Sequence, residues 1–298
     1  VKKPLIILNP AARSERAARL QDRLAAMAPE AEIRITLFQG DAERIAREAA
    51  GEGFSRIVAA GGDGTINEVV NGIMASGRPE VELGILPVGT MNVFAVELGI
   101  PLNAPEAAWE IIRRGDIRTI DLPACTTKSG SRCFVQLAGA GLDAEVVRRT
   151  TRESKKALGP LSYLLSLAHV SGARPPTIRI ESAEGSSRSG SFVLLGNGRF
   201  YGGPFRFFRD GSPTDGLLDV LVFQNQTPWD LLRYMHAIMT GQQTNLSDVE
   251  YFQTASLHLK AGEGEEVPYE LDGEMSGFLP GTFALRPGGL PVLAPAPR

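Results

Sequence analysis

Apolar residues in the first third of the chain come in short runs, and between the runs they recur every three or four positions. "KPLIILN" (3–9), "AEIRITLF" (31–38), "SRIVAAGG" (55–62) and "VELGILPVGT" (81–90) read as strands. The segments 14–28, 41–50, 65–75 and about 91–98 read as helices. Asp41 caps the second of these and places Ile45, Ala46 and Ala49 on one face. Strands without polar alternation, separated by helices, predict a parallel sheet covered on both faces. The βαβαβαβα rhythm ends near Arg114.

Beyond Asp116 the rhythm changes. "IRTIDLPAC", "RCFVQLAG", "TIRIES", "SGSFVLLGNG", "LLDVLVFQ", "ASLHLKA" and "VPYELDGE" are strand-like, and Gly, Ser, Pro and Asn separate many of them. They predict a mostly antiparallel, β-sandwich-like domain, interrupted by helices near 160–171 and 228–239. The expected fold is an N-terminal α/β domain over 1–120 and a β-rich C-terminal domain over 121–290, whose last strands are free to return to the first. Residues 291–298, within the Pro-rich "RPGGLPVLAPAPR", read as a tail.

Composition narrows the chemistry. The 298 residues are 43% hydrophobic and 22% charged, enough apolar material for a large core. A formal net charge of -3 gives no global attraction to nucleic acid, and no nucleic-acid partner is expected. Cys125 and Cys133 are the two cysteines, so a disulfide framework and CxxC metal spacing are excluded. His169, His236 and His258 lie far apart in sequence and read as structural or surface residues. No signal-peptide pattern and no apolar run of about 18 residues is present, and the chain reads as cytoplasmic.

Candidate chemistry centres on "GGDGTINEVV", residues 61–70. A βα turn at the carboxyl end of a parallel strand is where open α/β sheets bind ligands. The helix N-terminus offers free N–H groups suited to phosphate. Neither GxxxxGK[ST] nor GxGxxG is present. A purely local reading also exists: Thr65 and Glu68 form a capping box, and Ile66, Val69, Val70, Ile73 and Met74 form a core stripe. That reading leaves Gly61, Gly62, Asp63 and Gly64 unexplained as a group. A second turn, "LPVGTMN" (86–92), presents Thr90 and Asn92 at the next helix start.

"GGDGTINEV" followed by "GILPVGTMN" resembles the diacylglycerol kinase catalytic-domain family, which includes bacterial lipid kinases and the sphingosine and ceramide kinases, and which shares GGDGT with NAD kinases. "ILNPAA" (7–12), "GAGLDAEVV" (139–147), "GNGRFYGGPF" (196–205), "PTDGLLDV" (213–220) and "LDGE" (271–274) continue the resemblance in the family's order over almost the whole chain. Departures are "NPAARSER", where a glycine is usual near Ala12, and Pro204 where another glycine is frequent.

The resemblance implies phosphoryl transfer from ATP to a lipid hydroxyl. Carboxylates with few histidines suit Mg²⁺ as the accompanying ion. It implies a nucleotide site formed by Asn9, Thr36, Gly61, Gly62, Asp63, Gly64, Thr65, Asn67, Glu68 and Thr90, with Arg13 or Arg16 supplying positive charge. Asp63 is placed to orient the metal or the hydroxyl. Glu274 is the expected base and Asp272 its metal or network support, with the two roles open to exchange; read locally, Asp-Gly is a surface hairpin turn. A second Mg²⁺ is implied at Asp215 with backbone carbonyls near Ser212 and Leu217, linked through Asp121. Arg148, Arg149, Arg152, Lys155 and Lys156 precede "LGPLSYLLSLAHV". They read either as a solvated face or as a transient membrane contact beside the lipid entrance. A NAD kinase and a non-catalytic lipid- or nucleotide-binding regulator are the alternatives. The acceptor lipid is left open.

Overall fold

The structure is a computed structural model that describes residues 3–10, 17–149, 175–203 and 205–296. Two compact units emerge. Unit 1 comprises residues 1–122 and 287–298, and unit 2 residues 123–286. The expected α/β domain and antiparallel β domain are both present.

In unit 1 the order is β1 (Leu5–Leu8), α1 (Ala17–Met27), β2 (Glu32–Ile35), α2 (Asp41–Gly51), β3 (Arg56–Gly61), α3 (Asp63–Ala75), β4 (Glu82–Pro87), α4 (Val93–Glu97), α5 (Pro105–Arg114) and β5 (Ile117–Thr127), which runs on into unit 2. The strand order β2-β1-β3-β4 is parallel throughout. Leu5 to Leu8 and Ile57 to Ala60 are fully buried, as the runs without alternation predicted. Helix α2 lies against α3 at Gly72, where a Cβ would stand 2.3 Å from the Glu43 carbonyl, so the two backbones nearly touch.

Three expectations are corrected here. Asp41 is the first residue of α2 and not its cap, which is Gly40. The helix expected from Thr65 begins at Asp63, with Gly62 as its cap and no side-chain cap bond. Residues 291–298 are no tail over their first part. A strand, β18 (Gly281–Leu293), ends in unit 1, where Val292 pairs in parallel with Leu83 of β4. Leu290, Val292, Leu293 and Ala294 are fully buried. The prolines masked a strand that lies beside the sheet and buries its apolar residues there.

Unit 2 continues with β6 (Gly130–Cys133), β7 (Leu137–Ala140), α6 (Leu142–Arg149), β8 (Ile178–Ser182), β9 (Ser187–Gly190), β10 (Phe192–Gly196), β11 (Phe200–Tyr201), β12 (Phe205–Arg206), β13 (Leu218–Phe223), α7 (Pro228–Met239), β14 (Val249–Thr254), β15 (Ser256–Ala261), β16 (Pro268–Leu271) and β17 (Glu274–Phe278), before the first part of β18. One sheet is β14-β13-β10-β7-β16-β17; the other runs β18-β15-β8-β9. Pairing in both is antiparallel.

Val193, Leu195, Val220 and Val222 join the core that also takes Ile180, Leu257 and Phe283 from the second sheet. Phe192, Leu194, Leu221 and Phe223 turn the other way, into a cluster with Tyr234 and Ile238 of α7. Burial on both faces explains why these antiparallel strands show no polar alternation. "RCFVQLAG" does not run as one strand: it breaks between Cys133 and Leu137. The expected helix near 160–171 and His169 lie outside the described residues.

If the end of β18 is structural, Leu293→Ala should destabilise the protein by about 2–5 kcal/mol, as for other buried leucines. Urea unfolding measures this, and a change within about 0.5 kcal/mol, the usual range for a surface site, would return the segment to the status of a tail.

Candidate functional site

Unit 1 brings most of the expected nucleotide residues to one edge of its sheet. Asn9 follows β1, Thr36 follows β2, Gly61 and Gly62 close β3, and Thr90 follows β4. The four strands are neighbours and parallel, so all four turns open at their carboxyl ends. Arg13 and Arg16 lie outside the described residues.

The turns are fastened to one another. The Asn9 side chain donates to the Thr65 hydroxyl at 2.9 Å. Thr65 stands so close to Gly61 that a Cβ there would lie 2.3 Å from its Oγ1. A Cβ on Gly89 would meet the Gly62 Cα at 2.4 Å, so the β3 and β4 turns touch backbone to backbone. Asn92, at φ 51°, is buried and faces inward, bonding both the N–H and the carbonyl of Gly89 at 3.1 and 2.9 Å. It holds the second turn and presents nothing to solvent, whereas Thr90 is exposed.

Asp63 joins the same clamp. Its two carboxylate oxygens accept from the backbone N–H groups of Val93 and Phe94, both at 3.1 Å, at the start of α4. Burial raises its pKa, and these backbone bonds oppose the shift. Glu68 does not complete a capping box with Thr65. It reaches across to α2 and accepts from Gly40 N–H at 2.9 Å and Ala42 N–H at 3.1 Å. Asn67 is buried, and its carbonyl and side chain both accept from Asn71.

Unit 2 carries the expected acids. Asp272 and Gly273 form a two-residue turn between β16 and β17, with φ 49° and 80°, so the Asp-Gly hairpin reading is correct in shape. It is not a surface turn. Asp272 is buried and accepts from three consecutive N–H groups, those of Val135, Gln136 and Leu137, at 2.8, 3.0 and 3.1 Å. Val135 and Gln136 lie in the break between β6 and β7, and Leu137 opens β7. Glu274 opens β17 and is partly exposed.

Two residues not singled out from sequence support that turn. Glu270 is fully buried in β16, and its carboxylate accepts from Gly273 N–H at 2.6 Å. It lies beside the Asp143 carboxylate, one oxygen of which accepts from the Tyr201 hydroxyl. Burial first, and the neighbouring Asp143 charge second, hold the Glu270 carboxyl well above the usual range. A glutamate inside "PYEL" reads as an outward strand position, so nothing local marks it.

Asp143 and Tyr201 form the polar end of a cavity of about 70 Å³. The rest of its lining includes Leu142, Phe192, Leu194, Phe223, Met235 and Ile238. It lies within unit 2, beneath α7.

The loop before β13 holds Ser212, Asp215 and Leu217. Asp215 is exposed, and one oxygen accepts from Leu217 N–H at 3.0 Å. Asp219 lies within electrostatic reach of Asp215 and Asp210; burial pushes its pKa up to about 6, and its buried Oδ2 makes no hydrogen bond. Among the described residues no three His, Cys, Asp or Glu side chains form a ready metal cage. The loop's oxygen-only donors, with the orphaned oxygen of Asp219 in β13 close by, fit a hard cation that relies on carboxylate and carbonyls. Asp121 belongs to unit 1, where it accepts from Gly288 N–H at 2.8 Å. Arg148 pairs with Glu145 on its own helix, and Arg152, Lys155 and Lys156 lie outside the described residues.

Comparisons with known proteins identify the family. Residues 3–125 match the diacylglycerol kinase catalytic domain, and residues 136–294 match the YegS C-terminal NAD kinase beta sandwich-like domain. A Pseudomonas aeruginosa protein named "Probable lipid kinase YegS-like" is 37% identical over 89% of this chain and 84% of its own length. The chain belongs to the diacylglycerol kinase catalytic-domain family. A Bacillus subtilis diacylglycerol kinase is 32% identical over 95% of this chain and 93% of its own. The crystal structure of a diacylglycerol kinase from Bacillus anthracis superposes with a TM-score of 0.77 at 27% identity, covering 99% of this chain and 98% of the other. Membership of this family makes the chain a kinase. Among the described residues no helix is long and apolar enough to cross a membrane.

Glu270 gives a pH test. A carboxyl whose folded pKa is raised contributes fully below its unfolded value, about 4.3, and less as pH rises toward the folded value. Glu270→Gln cannot ionise and keeps an acceptor for Gly273 N–H. Its stability relative to the parent should therefore climb between about pH 5 and 8. Urea melts across that range decide it; a constant difference would show that Glu270 takes up no extra proton on folding.

Proposed function

We propose that this kinase transfers the γ-phosphoryl group of ATP to the hydroxyl of a lipid. The observation that carries the lipid reading is the apolar cavity of unit 2 with its carboxyl end at Asp143, beside the buried Glu270 that accepts from Gly273 in the turn before Glu274. Hydrocarbon side chains suit an acyl chain and give a dinucleotide no hydrogen bonds, which favours a lipid acceptor over NAD.

Nucleotide phosphates are assigned to the carboxyl edge of unit 1. There the start of α3 at Asp63 offers N–H groups of the kind that bind phosphate. Asp63 acts through the turns it fastens, and fixed turns place those donors before substrate arrives. Glu274 accepts the proton of the acceptor hydroxyl as its oxygen bonds to the γ-phosphorus. The bond from that phosphorus to the bridging oxygen breaks, and ADP carries the electron pair away. Glu270 and Asp272 hold the Glu274 turn from both sides.

Mg²⁺ is assigned to the nucleotide phosphates and, as a second ion, to Asp215 with carbonyls near Ser212 and Leu217. When bound, it offsets phosphate charge. A regulator without catalysis is disfavoured because Asp63, Asp272 and Glu274 are all present.

Labelled ATP offered with a panel of lipid hydroxyls, and separately with NAD, tests the reading. Phosphate on NAD alone would replace it with the NAD kinase alternative, and phosphate on nothing with the regulator. Glu274→Gln should lower kcat by about 100-fold or more while ATP affinity holds. The reverse pattern would make Glu274 a nucleotide or metal ligand. Asp215→Ala should abolish much of the rise in Tm that Mg²⁺ gives without nucleotide, and an undiminished rise would remove the metal from that loop.

A further inference from the structure

Helix α7 is amphipathic in an uncommon sense, because both of its long faces are apolar. Tyr234, Ala237 and Ile238 are buried, and Leu231, Met235 and Ile238 line the cavity. On the opposite side Trp229 is 80% exposed, Leu232 57% and Met239 66%. With His236 they recur at i, i+3, i+7 and i+10, a single stripe along the helix. The helix is firmly built, since Thr227 and Asp230 form a complete capping box and Pro228 occupies the first turn. Its exposed face is therefore presented by a rigid element.

A hairpin flanks it. Strand β12 packs against α7 and carries the exposed Phe205 and Arg206. Gln243, just beyond the helix, donates to the carbonyls of Arg206 and Phe207 at 3.2 and 2.7 Å, which fixes the hairpin beside it. The guanidinium groups of Arg199 and Arg206 both lie over the Phe200 ring, at 5.6 and 5.7 Å. Arg209 is exposed and stands 3.9 Å from Asp210. Two acids near the helix are engaged: Asp230 in the cap and with Arg233, and Asp248, just before β14, with Arg233, Tyr234 and Asn225.

From these residues we infer that the outer face of α7, with the Phe205–Arg206 hairpin, is the surface by which the protein docks on an anionic lipid bilayer. An exposed tryptophan in a stripe of leucine and methionine, flanked by arginines, matches the boundary between headgroups and acyl chains. Apolar side chains enter there while cations meet anionic phosphates. The surface is continuous with function: the same helix faces the bilayer on one side and roofs the apolar cavity on the other. This part of the argument rests on the lipid-acceptor reading. An acyl chain leaving the membrane beside α7 would pass from one hydrocarbon environment to another with little exposure to water.

Tryptophan fluorescence provides the test. The chain has two tryptophans, and Trp109 is buried in unit 1, so Trp229 is the exposed reporter. In buffer its emission should be that of a water-exposed indole. On vesicles of phosphatidylglycerol and phosphatidylcholine it should shift blue and be quenched by brominated acyl chains, and Trp229→Phe should remove both changes. Trp229→Gln with Leu232→Gln should weaken vesicle binding by about ten-fold or more. The same variant should leave phosphorylation of a short-chain, water-dispersed acceptor unchanged, since neither residue lines the cavity. Phosphorylation of vesicle lipid with Trp229 neither shifted nor quenched overturns the docking surface and leaves the kinase reading standing. Insertion of Trp229 with no phosphate transferred to any lipid does the opposite. A blue shift without vesicles that disappears on dilution gives the face to a second copy of the chain and also overturns the proposal.

Discussion

A backbone N–H that leaves a helix or a sheet ladder inside a protein must find another acceptor. In this chain the acidic residues of the sequence motifs supply it. Asp63 takes two N–H groups at the start of α4, Glu68 takes two at the start of α2, Asp272 takes three at residues 135–137, and Glu270 takes that of Gly273. Where the acceptor is an ionised carboxylate, such a bond is stronger than a neutral one. Asp63, Glu68 and Asp272 each fix a segment remote in sequence, and Glu270 the turn three residues beyond itself. The βα turns of unit 1 and the β16–β17 turn of unit 2 owe their shapes to them.

This bears directly on chemistry. Phosphoryl transfer asks a protein mainly to position groups and to present fixed dipoles. Turns whose N–H groups are already committed cannot relax when a charged substrate arrives, so donors that remain free keep their direction. The same economy operates in unit 2. Asp143, Glu270 and Tyr201 are deeply buried polar groups, which would be costly if isolated. Tyr201 donates to Asp143, and Gly273 N–H to Glu270, at the polar end of the cavity.

The overall architecture was legible because burial on both faces leaves a plain trace. Runs such as "LIIL" and "IVAA" give β1 and β3, and the alternation of helix and strand gives the parallel sheet. The carboxyl-edge position of Asn9, Thr36, Gly61 and Thr90 follows from the same pattern. Local rules failed where a distant segment competed. Thr65 and Glu68 have capping-box spacing, but Asn9 reaches the hydroxyl and the α2 N-terminus takes the carboxylate. Residues 291–294 look like part of a tail because prolines surround them, yet Val292 pairs with β4, and Leu293 and Ala294 are buried. "RCFVQLAG" looks continuous because its break is stabilised by Asp272, more than 130 residues away. The glycines of the β3 turn suggested room for a ligand, and part of their reason is room for Thr65 and for Gly89.

What the sequence determined by itself is what depends on neighbours along the chain: strands and helices, their order, the turns, and the motif series that carries the family. What only the tertiary structure decided is where each polar group is satisfied. Periodicity records whether a side chain faces the interior but not which backbone N–H or carboxyl it meets there. The pairing of Glu68 with α2 and of Asp272 with residues 135–137, and the burial of Glu270 beside Asp143, each bring together residues far apart in sequence. The exposed stripe of α7 is the converse case: "PWDLLRYMHAIM" is apolar on two faces, and only the packed fold shows which face the protein left in water.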